Sequence, residues 1–141
     1  MEISAGAIIY TIINNEINYL LIKDFHGNFG FPKGHLEKDE TEIDAAIREI
    51  KEEVGIDIIL DTNFRKELNY IMPNGINKKS VYYLGFYKDQ KIIKQLEEVD
   101  ETLLLPFSKA IDTLTFDNMK EALVEANNYI MLKFNVWKIR V

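Results

Sequence analysis

The chain has 141 residues, 47% of them apolar and 28% charged, which fits one soluble globular domain spanning 1–141. Cysteine is absent, so disulfides, thiol nucleophiles and cysteine–zinc sites are excluded. With 17 Lys and Arg against 23 Asp and Glu, the net charge of −6 opposes general binding to nucleic-acid backbones; a small anion can still bind at a local basic cluster or a held metal.

Ile3 to Ile13 is rich in β-branched residues and predicts a mostly buried strand. This run is too short to span a bilayer, and with Glu2 and no basic residue before it, it makes a weak signal peptide. A cytoplasmic protein with no membrane partner is the expectation. Asn14-Asn15 supplies a turn, and Ile17 to Lys23 the returning strand. Asp24 to Gly34 contains Gly27, Gly30 and Pro32 and reads as a loop, with at most a short extended piece at Phe29 to Phe31. A helix from about Thr41 to Val54 follows. Its Ile43, Ala46, Ile47, Ile50 and Val54 recur at helical spacing and define one buried face.

Ile56 to Leu60 is extended, Arg65 to Met72 is a strand, Pro73-Asn74-Gly75 is a turn, and Lys79 to Tyr87 is the paired strand. Gln95 to Leu105 passes from the acidic run Glu97-Glu98-Val99-Asp100-Glu101 into three leucines before Pro106. Ser108 to Leu114 is a short helix with Ser108 as N-cap. Asp117 begins a longer helix to about Phe134, with Phe116, Met119, Leu123, Ala126 and Ile130 on one stripe. The order of strands, helix, strands and helices implies a mixed sheet covered by helices, an α/β class.

The chemistry concentrates in Gly34 to Ile56. The helix ends in Arg48-Glu49-Ile50-Lys51-Glu52-Glu53 and stops at Gly55, so acids crowd the negative end of the helix dipole, at about 0.3–1 kcal/mol each. Glu49 and Glu53 add like-charge i,i+4 repulsion. Glu49, Glu52 and Glu53 fall in one sector, largely away from the apolar face. Something positive belongs there, and a hard divalent cation, which takes carboxylates, waters and phosphates, is the natural candidate. Glu40 can fold back onto the same loop, and Arg48 can pair with one of the acids and fix its rotamer. The plainer reading is a solvated charged helix face.

Gly34, Glu40, Arg48, Glu49, Ile50, Glu52, Glu53, Gly55 and Ile56 complete G-x5-E-x7-R-E-U-x-E-E-x-G-U without a mismatch, and the chain thereby resembles the Nudix hydrolase superfamily. That resemblance implies a Nudix-type α/β/α sandwich and hydrolysis of a nucleoside diphosphate linked to another group, with Mg²⁺ or Mn²⁺. It implies Glu52 and Glu53 as metal ligands, together with the backbone carbonyl of Lys33. Glu49 would be a ligand or the base that activates water, and Arg48 would orient it. Pro32-Lys33-Gly34-His35, the stretch Phe64 to Tyr70, Lys78 to Tyr83, and Phe116-x-x-Met119-Lys120-x-Ala122-Leu123 resemble the asymmetrically cleaving diadenosine tetraphosphate hydrolases.

This closer resemblance implies a dinucleoside polyphosphate as the small-molecule partner, with no stable nucleic-acid partner. Lys33, His35, Lys79 and Tyr83 would contact the polyphosphate, and Tyr70 and Tyr129 would clasp an adenine. Glu98 would be a later carboxylate near the metal or a base. Plainer readings stand beside these: Lys79 as a solvated lysine, Tyr83 as core, Tyr129 as packing beside Ile130 and Phe134, and Glu97 or Glu101 in place of Glu98. The turn from Pro73 to Asn77 is longer than in animal members, which bears on Lys79, and Thr102 stands where an aromatic residue is common. Rival substrates are a damaged or ordinary nucleoside triphosphate, ADP-ribose, a diphosphoinositol phosphate or an RNA 5′ end. The rival class is a non-catalytic nucleotide-binding module.

Overall fold

The β-branched N-terminal run forms β1 (Glu2–Ile13), the strand around which the others assemble. The computed structural model describes residues 2–140, with side chains described through residue 134. After β1 come β2 (Glu16–Lys23), β3 (Phe29–Gly30), β4 (Lys33–His35), α1 (Glu42–Val54), β5 (Ile59–Ile71), β6 (Asn77–Phe86), β7 (Glu101–Pro106), α2 (Phe107–Thr113) and α3 (Asp117–Arg140). Asn14 and Asn15 take φ values of 51° and 65°, the left-handed pair that a tight two-residue hairpin requires between β1 and β2.

The seven strands form one mixed sheet in the order β3-β2-β1-β6-β5, with β4 paired to β1 and β7 to β2. Only β1 and β6 run parallel; every other recorded pairing is antiparallel. Both faces are covered, which explains why β1 reads as a continuous apolar run rather than an alternating one. Ala5, Ala7 and Ile9 face α1, packing with Ala45, Ala46, Ile50 and Val54. Ile8, Tyr82 and Leu84 face the other side, under Ala110 of α2 and Ala122, Leu123, Ala126 and Ile130 of α3. The architecture is the expected α/β/α sandwich. Among the described residues no helix is long and apolar enough to cross a membrane.

The structure corrects four local expectations. On α1 the buried residues are Ala45, Ala46, Ile50, Glu53 and Val54, whereas Ile43 and Ile47 are exposed. The two alanines let the helix sit close on Ala5 and Val81, and this rotates the flanking isoleucines outward. Phe116 is likewise exposed, so the buried stripe of α3 begins at Met119. Helix α2 starts at Phe107 behind Pro106, without a side-chain cap, so Ser108 lies inside its first turn. The segment read as a loop to Gly34 has the expected extended piece, at Phe29–Gly30, and also a second short strand, because Lys33–His35 pairs with Ser4–Gly6.

These contacts give a direct test of which face of α1 is buried. Ile50→Ala is expected to cost about 2–5 kcal/mol in denaturant unfolding, as for other buried large-to-small changes. Ile47→Ala, at 44% exposure, should cost less than about 1 kcal/mol.

Candidate active site

Helix α1 is fixed at both ends. The Thr41 hydroxyl accepts the Asp44 N–H at 3.1 Å, and Gly55, at φ 73°, donates to the Lys51 carbonyl at 3.0 Å. The last carbonyls would otherwise be orphaned. They accept from the loop ahead of β7: Ile93 N–H to Val54 O at 2.9 Å, and Gln95 N–H to Glu53 O at 2.8 Å. Beneath the helix, β4 is held against β1 by the pairs Ser4–His35, Ala5–Gly34 and Gly6–Lys33. Gly34 faces Glu49 so closely that a Cβ there would fall 2.0 Å from the carboxyl carbon. A side chain at this position would displace the Glu49 carboxylate from the place it now fills.

Arg48 organises the acids with all of its donor positions. Its Nε and Nη2 form a fork on Glu40 at 2.8 and 2.9 Å. Its Nη1 reaches Glu49 at 2.9 Å and Glu52 at 3.1 Å, and Nη2 also reaches the His35 carbonyl at 3.0 Å. Glu40 additionally accepts the Glu37 N–H at 3.0 Å. Hydrogen bonding from Arg48, and then from that N–H, brings the Glu40 carboxyl down to about 2. The guanidinium itself is held more firmly protonated, first by Glu40.

Arg48, together with the Lys33 charge that opposes the rise at Glu53, does not balance this cluster. Glu53 is 4% exposed and accepts one backbone N–H, from Lys33 at 3.2 Å. Burial first, then the charge of Glu49, pushes its pKa up to about 8, and Glu98 adds to the effect. Glu49 is also raised, by burial first; Arg48 opposes this, while Glu52 and Glu98 reinforce it. The structure thus brings Arg48, Glu49, Glu52, Glu53, Glu98 and the Lys33 backbone to one crevice, and Glu53 turns under the loop rather than away from the core. Among the described residues no three acids or histidines stand at metal-ligand spacing, since Glu49 and Glu52 lean on Arg48. The site's hard oxygen donors and uncompensated negative charge nonetheless fit a divalent cation. Glu52, with its side chain 49% exposed, is free to swing toward one.

The expected substrate contacts divide between the two faces of the sheet. Lys33, Tyr70 and the neighbouring Lys78 gather on the α3 side: Lys78 Nζ lies 5.9 Å from the Tyr70 ring, and its charge joins burial in lowering the Lys33 ammonium. Lys79 and Tyr83 lie on the α1 side around Glu42. Lys79 is 3.3 Å from Glu42 and 3.7 Å from Glu67, Tyr83 Oη is 3.4 Å from Glu42, and Arg65 reaches Glu42 at 2.9 Å. The His35 side chain is exposed, with Nε2 3.9 Å from Glu2.

Tyr129 stands apart from Tyr70. It packs on Phe64 at 5.6 Å, and its hydroxyl donates to Asp61 at 2.9 Å. Phe64 is about 20 Å along β5 from Tyr70 at ~3.3 Å per residue. Asp61 borders a cleft of about 460 Å³ at that far end of the sheet, lined also by Tyr10, Phe86 and Lys133. Sequence reasoning missed three participants: Glu42, Lys78 and the backbone of residues 93–95. For the last, the charged run gives no sign that its amides cap α1.

Comparison with known proteins agrees with this geometry. The model of the NUDIX domain family matches residues 3–126. A bis(5′-nucleosyl)-tetraphosphatase [asymmetrical] of Sus scrofa is 32% identical over 123 residues, 83% of each chain. An mRNA-decapping enzyme subunit 2 of Saccharomyces cerevisiae is 30% identical over 94% of this chain but only 13% of its own length. The crystal structure of a C. elegans Ap4A hydrolase binary complex superposes with a TM-score of 0.87, covering 93% of this chain and 98% of that one; at 24% identity this speaks to the fold.

The buried Glu53 makes stability depend on pH with a definite sign. The folded, metal-free protein keeps this proton up to about pH 8, whereas an unfolded chain releases it in the ordinary carboxylate range. Thermal stability in chelator should therefore fall as pH rises between that range and about pH 8. Added Mg²⁺ should raise the melting temperature more at about pH 8 than at about pH 6, where it competes with the proton. Glu53→Gln should flatten both trends in scanning calorimetry.

Proposed function

The chain belongs to the Nudix family of hydrolases, and from that footing we propose that it cleaves diadenosine tetraphosphate asymmetrically, by water attack on the phosphate chain, to give ATP and AMP. The observation that carries the substrate is the 32% identity to an asymmetrical bis(5′-nucleosyl)-tetraphosphatase, which runs over 83% of both chains.

Glu52, Glu53, Glu49, Glu98 and the Lys33 carbonyl are the groups that would hold Mg²⁺ or Mn²⁺. When bound, such a cation neutralises developing phosphate charge and acidifies water. Arg48 fixes Glu49 through its 2.9 Å bond, and burial raises that carboxylate's affinity for a proton. Glu49 is thereby fitted to take a proton from the attacking water. Lys33 and its neighbours compensate negative charge on the remaining phosphates.

The yeast decapping relative favours an RNA 5′ end as a second reading, since the match covers 94% of this chain. The net charge of −6 weighs against it, because an RNA backbone gains little from an acidic surface.

Product analysis across diadenosine tetraphosphate, nucleoside triphosphates, ADP-ribose and capped RNA separates these readings. ATP plus AMP, formed fastest from the dinucleotide, is the expected result; faster release from another substrate would reassign it. Glu52→Gln and Glu53→Gln should each lower kcat on the order of a hundredfold or more while leaving the fold intact by circular dichroism. Unchanged rates in both would remove the carboxylates from the mechanism.

A further inference from the structure

Each acid at the end of α1 is held by a named donor: Arg48 holds Glu49 and Glu52, and the Lys33 N–H holds Glu53. Glu98 is placed differently. Its side chain is exposed, and among the described residues it makes no hydrogen bond or ion pair. Where its carboxylate can go is therefore set by the backbone that carries it.

That backbone, the strap between β6 and β7, is clamped at both ends. The Ile93 N–H donates to the Val54 carbonyl at 2.9 Å and the Gln95 N–H to the Glu53 carbonyl at 2.8 Å. Gln95 in turn accepts the Val99 N–H at 3.0 Å, which closes one uncontinued helical turn over residues 95–99. Gln95 thereby links the backbone of Glu53 to the residue that follows Glu98. Beyond the turn, the Asp100 N–H donates to the Lys23 carbonyl at 2.9 Å, and the Lys94 ammonium reaches the Asp100 carbonyl at 2.6 Å.

Two apolar side chains hold the strap down. Ile92 packs against the cluster of Ile50, Val54 and Ile56, which fixes the first half. In the half that bears Glu98 the anchor is Val99. Of residues 88–100 it alone is fully buried, at 1% exposure, although Leu96 in the same turn is 77% exposed. Val99 stays out of water only while the turn lies against the body of the protein, so lifting the turn exposes it.

We propose that Val99 is a positioning residue: the buried anchor that holds the turn at 95–99 against the end of α1 and so fixes Glu98 beside the other acids for a divalent cation. This rests on the metal-dependent reading above and names the residue that places its last carboxylate. Glu98 is then part of a preformed site and not of a mobile flap.

The test is a double-mutant cycle on Val99→Ala and Glu98→Gln. It is read in Mn²⁺ binding to the nucleotide-free protein, by electron paramagnetic resonance, and in kcat and KM with diadenosine tetraphosphate. Each single variant should weaken Mn²⁺ binding and lower kcat about tenfold, the scale of groups that support a metal site, with KM changed less than about threefold. The double variant should match Glu98→Gln within about twofold, because Val99 then has nothing left to position. Losses that multiply in the double variant, as for a residue that only stabilises the fold, would overturn the assignment. Wild-type Mn²⁺ affinity in either single variant would do the same. Should Val99→Ala fail to fold, amide hydrogen exchange on the metal-free wild type decides. The Gln95 and Val99 amides should be protected as well as the last turn of α1, and rapid exchange there would refute the anchor. If the wild type binds Mn²⁺ but cleaves no dinucleotide, the substrate reading falls while the Mn²⁺ arm still decides Val99.

Discussion

The molecule is built around an imbalance of charge at the edge of α1. Arg48 spends every donor position on Glu40, Glu49, Glu52 and a carbonyl, and Glu53 and Glu98 remain outside its reach. Around the buried Glu53, that surplus is expensive. The protein answers by leaving Glu53 protonated when nothing else is bound. The surplus persists because the backbone around it is fixed: Thr41 and Gly55 set the helix ends, three residues of β4 are paired to β1, and the loop at 93–95 is bonded to the last carbonyls of α1.

The second constraint is the parity of the sheet. Consecutive residues of β5 and β6 point to opposite faces, so Lys78 and Tyr70 lie on one face while Lys79, Glu67 and Arg65 lie on the other. Glu42, in the first turn of α1, gathers Lys79, Arg65 and Tyr83. It thereby ties the helix start to β5 and β6.

Much of this was legible in the sequence where a requirement is local. The spacing from Gly34 to Ile56 carries the helix, its stop and its acids, because a cap, a close approach and a helical face each demand particular residues at particular intervals. What failed was non-local. Ile43 and Ile47 look like core by periodicity, but Ala45 and Ala46 draw the helix tight against Ala5 and turn them outward. Tyr129 resembles half of an aromatic clamp, yet the α3 packing sets it against Phe64 and Asp61. Which of two neighbouring lysines faces Tyr70 depends on the length of the turn after Ile71, and no property of either lysine records that.

Lys33 links the two constraints. Its backbone belongs to a strand of only three residues, and its N–H is the one donor to the buried Glu53. Its side chain lies with Lys78 and Tyr70, where burial and a like charge both disfavour its proton. One short strand therefore carries both the backbone donor to Glu53 and the side chain that burial and Lys78 act upon.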